Sequence, residues 1–552
     1  VAHATFAEVL AARAGDPRPG LLFEDEVHTW DEVVRAARAR AALLPALCPA
    51  PEGRPRHVGV LLENVPEYVF WIGAAAFAGA TLVGINPTRR GAGLAADIRH
   101  TDCDLIVTDT AHAALLDGLD TGVPADRVLL TGTGAHRAAP PGDAPEPDLA
   151  AISPSDRLLL LFTSGSTGRP KAVVCGQGRL AAIAARADLM GLTRDSVTYC
   201  AMPLFHGNAI MANLAMATAT GATVALRRRF SASGFLPDVR RYGVTYFNYV
   251  GRALAYILAT PERPGDADNP LRAAFGTEAS GQDMARFAAR FGCRVIEGYG
   301  SSEGAIALHK VPGTPPDALG LPQHGVEVAV CDPATGAECP RARFGPDGGL
   351  LNPGEAIGEI VGLNVAAAFE GYYDDPAADA ERVRDGRYWS GDLGYRDADG
   401  YFYFAGRGTD RLRVDSENFA AAPVERVLAR WDPVVMCAVY PVPDPRTGDQ
   451  VMAALELRGE FDPEEFARFL EAQPDLGTKW APRFVRIVGE MPLTATGKVD
   501  KRPLRRARWE ATGRVWWRPG RDLSYEPLTP ERAAGWDAAF AAHGRAHVLD
   551  TL

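Results

Sequence analysis

Apolar residues recur at helical spacing along "TFAEVLAARAG" and "TWDEVVRAARARAALL", and Thr29 stands where a helix N-cap belongs. Short unbroken apolar runs, "HVGVLL" and "LIVTD", have the length of buried strands. Alternation of this kind predicts α/β layers with a parallel sheet. Further on, "VTYFNYVGRALAYIL" reads as strand then helix, and "CRVIEGYGSSEGA" as strand then loop. Residues 133–155 and 332–356 are rich in Pro, Gly and polar residues and read as surface connections. Near residue 405 the texture changes. "DGYFYFAGR" alternates like a strand, and "GRGTDRLRVDSEN" is charged and mostly unstructured by pattern. After it, "APVERVLARW", "VVMCAVYPVPD", "QVMAALELRG" and "PEEFARFLEA" form a compact α+β set. The expected architecture is α/β: a large N-terminal domain of layered sheets and helices over 1–409, and a smaller mobile α+β domain over 410–552.

The stretch Tyr68–Ile85 carries no charge over 18 residues, the lower limit for a spanning helix. It is rich in Ala and broken by Gly79 and Gly84, so it reads as a buried helix followed by the strand "TLVGINP". The chain has 552 residues, enough for two or more domains, with 47% apolar and 23% charged positions. A net charge of −11 argues against nucleic acid as the main partner but leaves room for an anion held by a local cluster. The eight cysteines are scattered and form no CxxC, which suggests neither a zinc nor a redox framework. With no secretory signal at the start, a reduced cytoplasmic compartment is expected.

Only five of the 58 basic residues are lysines: Lys171, Lys310, Lys479, Lys498 and Lys501. A lysine kept in so arginine-rich a chain suggests a need for a compact point charge. Two of the five lie in Gly/Thr-rich loops, "SGSTGRPK" and "TATGK". In the first, the apolar run "LLLLF" feeds a loop poor in side chains, which exposes backbone N–H groups and hydroxyls as phosphate cradles do. The pattern GxxxxGK followed by Ser or Thr is absent, so this is not a P-loop. The alternative is an ordinary surface turn.

A third loop, "GYGSSEG", fits G-x-S-x-G and raises a hydrolase with Ser302 as nucleophile, His309, His324, His543 or His547 as base and Asp392 as orienter. A nucleophile elbow must lead at once into a helix, and Glu303 beside the serine disfavours an oxyanion. In "YWSGDLGYRDADGYFYFAGR", Asp392 follows Ser390-Gly391 in a tight turn and could accept two ribose hydroxyls, with Arg407 returning to the same sugar. Taken alone, the pair is as readily a structural salt bridge.

Taken in order, "LLFTSGSTGRPKAV", "GYGSSEG", "YWSGDLG", "GRGTDRL" and "PLTATGK" resemble the signatures of the adenylate-forming superfamily of acyl-CoA synthetases, adenylation domains and luciferases. The segment "FNYVGRALAYILATPERPGDADNPLRAAFG" and the tail from Trp516 look like the fatty-acid-transport and very-long-chain acyl-CoA synthetase branch. The resemblance implies an ATP-dependent, AMP-forming ligase using Mg²⁺, with CoA as acceptor. It implies that Thr163, Ser164, Gly165, Ser166, Thr167, Gly168 and Lys171 bind the β- and γ-phosphates. Tyr299 would stack on adenine, beside Gly276, Thr277, Glu278 and Gly300. Ser302 would touch the α-phosphate, Glu303 would hold Mg²⁺, and Asp392 and Arg407 would bind ribose. Lys498 would bridge carboxylate and α-phosphate, and Asp410 would be the hinge. Chemically, the partners repel each other, and a cation on each side held in line is most of what catalysis needs. A nucleotide-binding relative without turnover is disfavoured because Lys498, Glu303 and Asp392 are all present.

One stretch departs from the family. Where glycines usually precede Glu-Asn after the hinge, this chain has Asp415 and Ser416. Bulk and charge there bear on the thiol acceptor, so an amine acceptor, or activation of a small oxyacid such as nitrite for an aryl amine, stays open. By resemblance His206 lies at the entrance of the acid pocket, near Asn208, Met211, Asn213, Asn248, Tyr249 and Arg252. That set is polar and predicts a short or polar acid. No stable membrane span is expected.

Overall fold

In a computed structural model, the structure describes residues 3–549 apart from 133–143, 165–169, 251–252, 278, 280, 316–317, 347–349, 408–410, 415–416, 446–447, 474–475, 477–478, 495–496, 511–513, 521, 544–545 and 547–548. Both predicted N-terminal helices form, as Phe6–Ala11 and Trp30–Leu47. Each opens with a capping box: the Glu32 backbone N–H donates to Thr29 Oγ1 at 3.1 Å while Glu32 Oε2 accepts from the Thr29 backbone at 2.8 Å. The uncharged stretch is the buried helix Pro66–Phe77 and then the strand Thr81–Gly84. No helix among the described residues is long and apolar enough to cross a membrane.

Among the described residues two large sheets dominate. One runs Val128–Leu130, Leu105–Thr108, His57–Leu61, Thr81–Gly84, Arg157–Ser164 and Pro170–Gly176, parallel except for its last strand. The other is nine-stranded, and its centre is parallel: Val197–Cys200, Tyr246–Val250, Ala273–Thr277 and Arg294–Gly300. One hydrophobic core joins them, holding Leu82, Leu159 and Leu161 from the first sheet, Tyr199, Val224 and Phe247 from the second, and Val34 and Trp71 from the helices between. Fully burying a large side chain such as these stabilises by about 1.5–3 kcal/mol.

A third sheet pairs Gly358–Gly362 with Arg387–Arg396, and Arg387–Arg396 with Phe402–Arg407. The expected Asp410 boundary lies outside the described residues. Beyond it, Val434–Pro443, Asp449–Leu457, Phe484–Val488, Arg514–Trp517 and Glu526–Pro527 form a mixed sheet with helices against it. This smaller α+β unit has its own two cores, around Val439 and Phe466 and around Phe484 and Trp509. It touches the larger α/β unit where the Arg426 guanidinium donates to the Phe404 carbonyl at 3.0 Å.

Within the segment expected to be mostly unstructured after residue 407, two described stretches form strands. Arg411–Val414 and Glu417–Ala420 pair antiparallel, with Leu412 opposite Phe419. The charged residues conceal an alternation in which Leu412, Val414 and Phe419 are buried, which is enough to make a strand pair. All eight cysteines are free, and seven are buried.

Candidate active site

Strands Tyr246–Val250, Ala273–Thr277 and Arg294–Gly300 end side by side, so Tyr249, Gly276, Thr277, Tyr299 and Gly300 share the carboxyl edge of a parallel sheet, where α/β folds bind ligands. The chain leaves that edge through Ser301–Glu303 and returns antiparallel as Ala307–His309. A hairpin, not a helix, follows the serines, so Ser302 does not sit on a nucleophile elbow. The turn needs Gly304 at φ +71°, and the Arg179 guanidinium braces it by donating to the Ser302 carbonyl.

Glu303 is buried and its Oε1 accepts from the Tyr372 hydroxyl at 2.8 Å. The Lys171 ammonium lies 5.2 Å from the ring centre of the same tyrosine. Lys171 reaches it because Pro170–Gly176 pairs with Arg157–Ser164, setting Lys171 opposite Thr163. Gly165, Ser166, Thr167 and Gly168 lie outside the described residues, as does the side chain of Ser164. Lys171 and Glu303 thus flank one aromatic ring, and Arg382 Nε donates to its hydroxyl at 3.1 Å.

Next to them, Tyr299 donates its hydroxyl to Asp392 Oδ2 at 2.8 Å. Burial first, and then the Asp392 charge, push the Tyr299 pKa well above its ordinary value, so the phenol stays a donor. Asp392 is the register partner of Arg407 across the hairpin, although the Arg407 side chain is outside the described residues. The Gly391 backbone N–H, just before Asp392, donates to Glu359 Oε1 at 2.6 Å. Glu278 and Arg252 also lie outside the described residues.

The segment His206–Leu214 approaches from the other side. A Cβ built on Gly207 would lie 3.2 Å from Ser302 Oγ and 3.4 Å from Met211 Sδ, so the absence of a side chain there lets the two loops meet. After a short helical turn, Ile210–Leu214 is π-helical, an irregularity common at functional sites. Its Asn213 donates to Asn248 Oδ1 at 2.6 Å and accepts from Thr198 Oγ1 at 2.7 Å, while Asn248 donates to Asn208 Oδ1 at 2.8 Å. Thr198, Asn213 and Asn248 are fully buried. Asn213 and Asn248 are therefore engaged with each other inside the protein, while Asn208 is half-buried. Tyr249, one residue from Asn248 along the strand, points to the opposite face and packs near Phe247.

His206 Nε2 is buried with no hydrogen-bond partner among the described residues. Its pKa is pushed down to about 3, chiefly by burial and then by the nearby Lys498 ammonium. The Lys498 loop of the smaller unit has therefore come within electrostatic reach of His206. That loop is tight: the Thr494 N–H donates to the Lys498 carbonyl at 2.7 Å, with Gly497 at φ +76°.

No group of three or more His, Cys, Asp or Glu among the described residues could hold a metal by itself. A buried Glu303 carboxylate at the same tyrosine as the Lys171 ammonium fits Mg²⁺, which is usually held by one or two carboxylates together with substrate phosphates and water. The sequence reading did not pick out Tyr372, Glu381, Arg382, Arg179 or Glu359. Tyr372 lies in the run "GYYDDP" before the short helix that ends with Glu381 and Arg382, which no phosphate pattern marks, and Arg179 and Glu359 lie elsewhere in the chain.

A family profile described as AMP-binding enzyme matches residues 8–373, and one described as AMP-binding enzyme C-terminal domain matches residues 423–498. The steroid-22-oyl-CoA synthetase of Rhodococcus jostii (strain RHA1) is 52% identical over 552 residues, covering 99% of each chain. The medium/long-chain-fatty-acid–CoA ligase FadD17 of Mycobacterium marinum is 46% identical over 92% of this chain and 96% of that protein. Among solved structures, the anthranilate CoA ligase AuaEII in complex with anthranoyl-AMP superposes with a TM-score of 0.78 at 22% identity, over 92% of this chain and 98% of that one, a likeness of fold. These relatives do not single out the fatty-acid-transport branch. The chain belongs to the AMP-binding enzyme family and is an ATP-dependent, adenylate-forming ligase of the acyl-CoA synthetase type.

Proposed function

We propose that this enzyme activates a bulky, largely apolar carboxylic acid, of the steroid side-chain or medium/long-chain class, and passes the acyl group to CoA. The observation that carries the first step is the meeting of Lys171 and Glu303 on Tyr372 while Lys498 stands near His206. Lys171 and the 163–168 loop hold the β- and γ-phosphates, and Ser302 lies by the α-phosphate. Asp392 and Arg407 hold the ribose. Tyr299 stacks on adenine, with Gly276, Thr277, Glu278 and Gly300 along the same edge. Glu303 would hold Mg²⁺ together with the nucleotide, and the ion would neutralise phosphate charge there.

Lys498 brings acid and α-phosphate together. A carboxylate oxygen attacks the α-phosphorus, the bond to the β-phosphate oxygen breaks, and pyrophosphate leaves. The CoA thiolate then attacks the acyl carbon, a thioester forms and AMP leaves. We place the hinge for this second step at Asp410, between domains 1–409 and 410–552. His206 stays neutral at the pocket entrance and adds no charge against the acid.

The class of acid is supported by the 52% identity, over the whole chain, to a steroid-22-oyl-CoA synthetase. The bond between fully buried Asn213 and Asn248 supports the same reading, because those two amides are engaged with each other. The free, mostly buried cysteines fit a reducing, cytoplasmic setting.

The test is pyrophosphate release with a panel of steroid side-chain, fatty and small aromatic acids, each with CoA, an amine, or nitrite plus an aryl amine. Release with the bulky acids and thioester formation with CoA are expected. Turnover confined to small acids, or dependent on nitrite and an amine, would overturn the reading.

A further inference from the structure

We propose that Arg382 is a positioning residue for Glu303, acting through the Tyr372 hydroxyl to hold that carboxylate in the orientation that receives Mg²⁺ with the nucleotide; this rests on the reading of Glu303 as the metal ligand. Glu303 lies in the turn between Arg294–Gly300 and Ala307–His309, so no helix or strand fixes its side chain. What fixes it is Tyr372, whose own backbone N–H donates to Asp379 Oδ1 at 2.7 Å and whose backbone bridges Val173. Arg382 ends the helix Pro376–Arg382 and reaches the tyrosine with Nε, while its Nη1 donates to the Trp389 carbonyl at 3.3 Å. Gly391, at φ +77°, leaves the room that this guanidinium occupies; a side chain there would collide with it.

The direction of the hydrogen bonds follows from the groups. A guanidinium is a donor only. With Arg382 donating to the Tyr372 oxygen, the phenol proton has to point onward, to Glu303 Oε1. That bond uses one carboxylate oxygen and leaves Oε2 for a cation. A glutamine at 382 carries an acceptor as well as a donor. It can turn the phenol proton away and leave a buried carboxylate without its donor, whereas a lysine keeps charge and donor.

The test measures ATP binding by calorimetry as Mg²⁺ is titrated, without acid, in wild type, Y372F, R382K, R382Q and E303Q. Partners that orient a metal ligand typically contribute 10- to 100-fold in metal affinity, so Y372F and R382Q are each expected to raise the half-saturating Mg²⁺ about tenfold. The double variant should be no worse than either single one, and R382K should fall between wild type and R382Q. If E303Q raises the Mg²⁺ requirement while R382Q and Y372F lose only thermal stability, the inference falls and the Glu303 reading stands. If E303Q leaves the requirement unchanged, both fall. Should R382Q not fold, Y372F and R382K decide, an unchanged Mg²⁺ requirement in both overturning the proposal.

Discussion

Lys171 Nζ stands 3.0 Å from Glu381 Oε2, a buried ammonium held by a carboxylate that is 58% exposed. With Lys171 as the proposed phosphate ligand, arriving phosphates compete with that carboxylate for the ammonium. An ion pair with one partner this exposed contributes about 0–1 kcal/mol. E381Q is therefore expected to tighten ATP binding by up to about fivefold, with little change in kcat once ATP saturates. Equilibrium binding of ATP to the two proteins checks this; weaker binding in E381Q would mean that the carboxylate positions the lysine and does not compete for it.

Lys498 belongs to the smaller unit, whereas Lys171, Asp392 and Tyr299, the residues proposed to hold ATP, belong to the larger one. K498A is expected to lower the rate of acid-dependent pyrophosphate release by about 10²–10³-fold, the range for removing one preorganised electrostatic contact from a transition state. ATP affinity should stay close to wild type. Turnover that persists in K498A would remove the lysine from the chemistry.

His206 gives a pH signature. Its pKa in the folded protein is about 3, against an ordinary value near 6.5. The unfolded chain thus binds the proton that the native site refuses. The resulting stability is fully present above about pH 6.5 and is lost as pH falls toward the folded value. Burial lowers the pKa of His57 in the same sense, so the difference between wild type and H206Q is the quantity to follow. That difference should change by at most about 1.4 kcal/mol per pH unit when urea unfolding is followed between about pH 5 and 7. A flat difference would mean that the imidazole is protonated in place.

Much of this was legible in the chain. The capping threonines, the uncharged helix before Thr81 and the strand-to-loop change at Gly300 follow from local pattern, and local pattern decides them. The hairpin of Arg411–Val414 with Glu417–Ala420 was hidden because only Leu412, Val414 and Phe419 carry its signal among charged neighbours. Tyr372 and Arg382 were hidden for another reason. Tyr372 meets Glu303, 69 positions away in the chain, and Arg382 meets that tyrosine, through tertiary packing that no spacing rule encodes. That Asn213 and Asn248 bond to each other was hidden too, because residue type alone does not say whether a polar group faces a ligand or another side chain.

Asn248 tests that last distinction. Its carbonyl oxygen takes the Asn213 amide proton and its own amide donates to Asn208. N248L leaves the fully buried Asn213 amide without an acceptor, which costs about 1–3 kcal/mol, whereas half-buried Asn208 can turn to water. N213L should cost a similar amount by stranding Asn248. The double variant N213L/N248L replaces both partners with apolar groups, so its loss should fall short of the sum of the singles. Thr198 keeps a contact to the Thr223 carbonyl at 3.4 Å in every case. Thermal unfolding of the four proteins measures the cycle. Strict additivity would mean that the two amides do not depend on each other and face a ligand or water, and a polar acid would again be the better substrate.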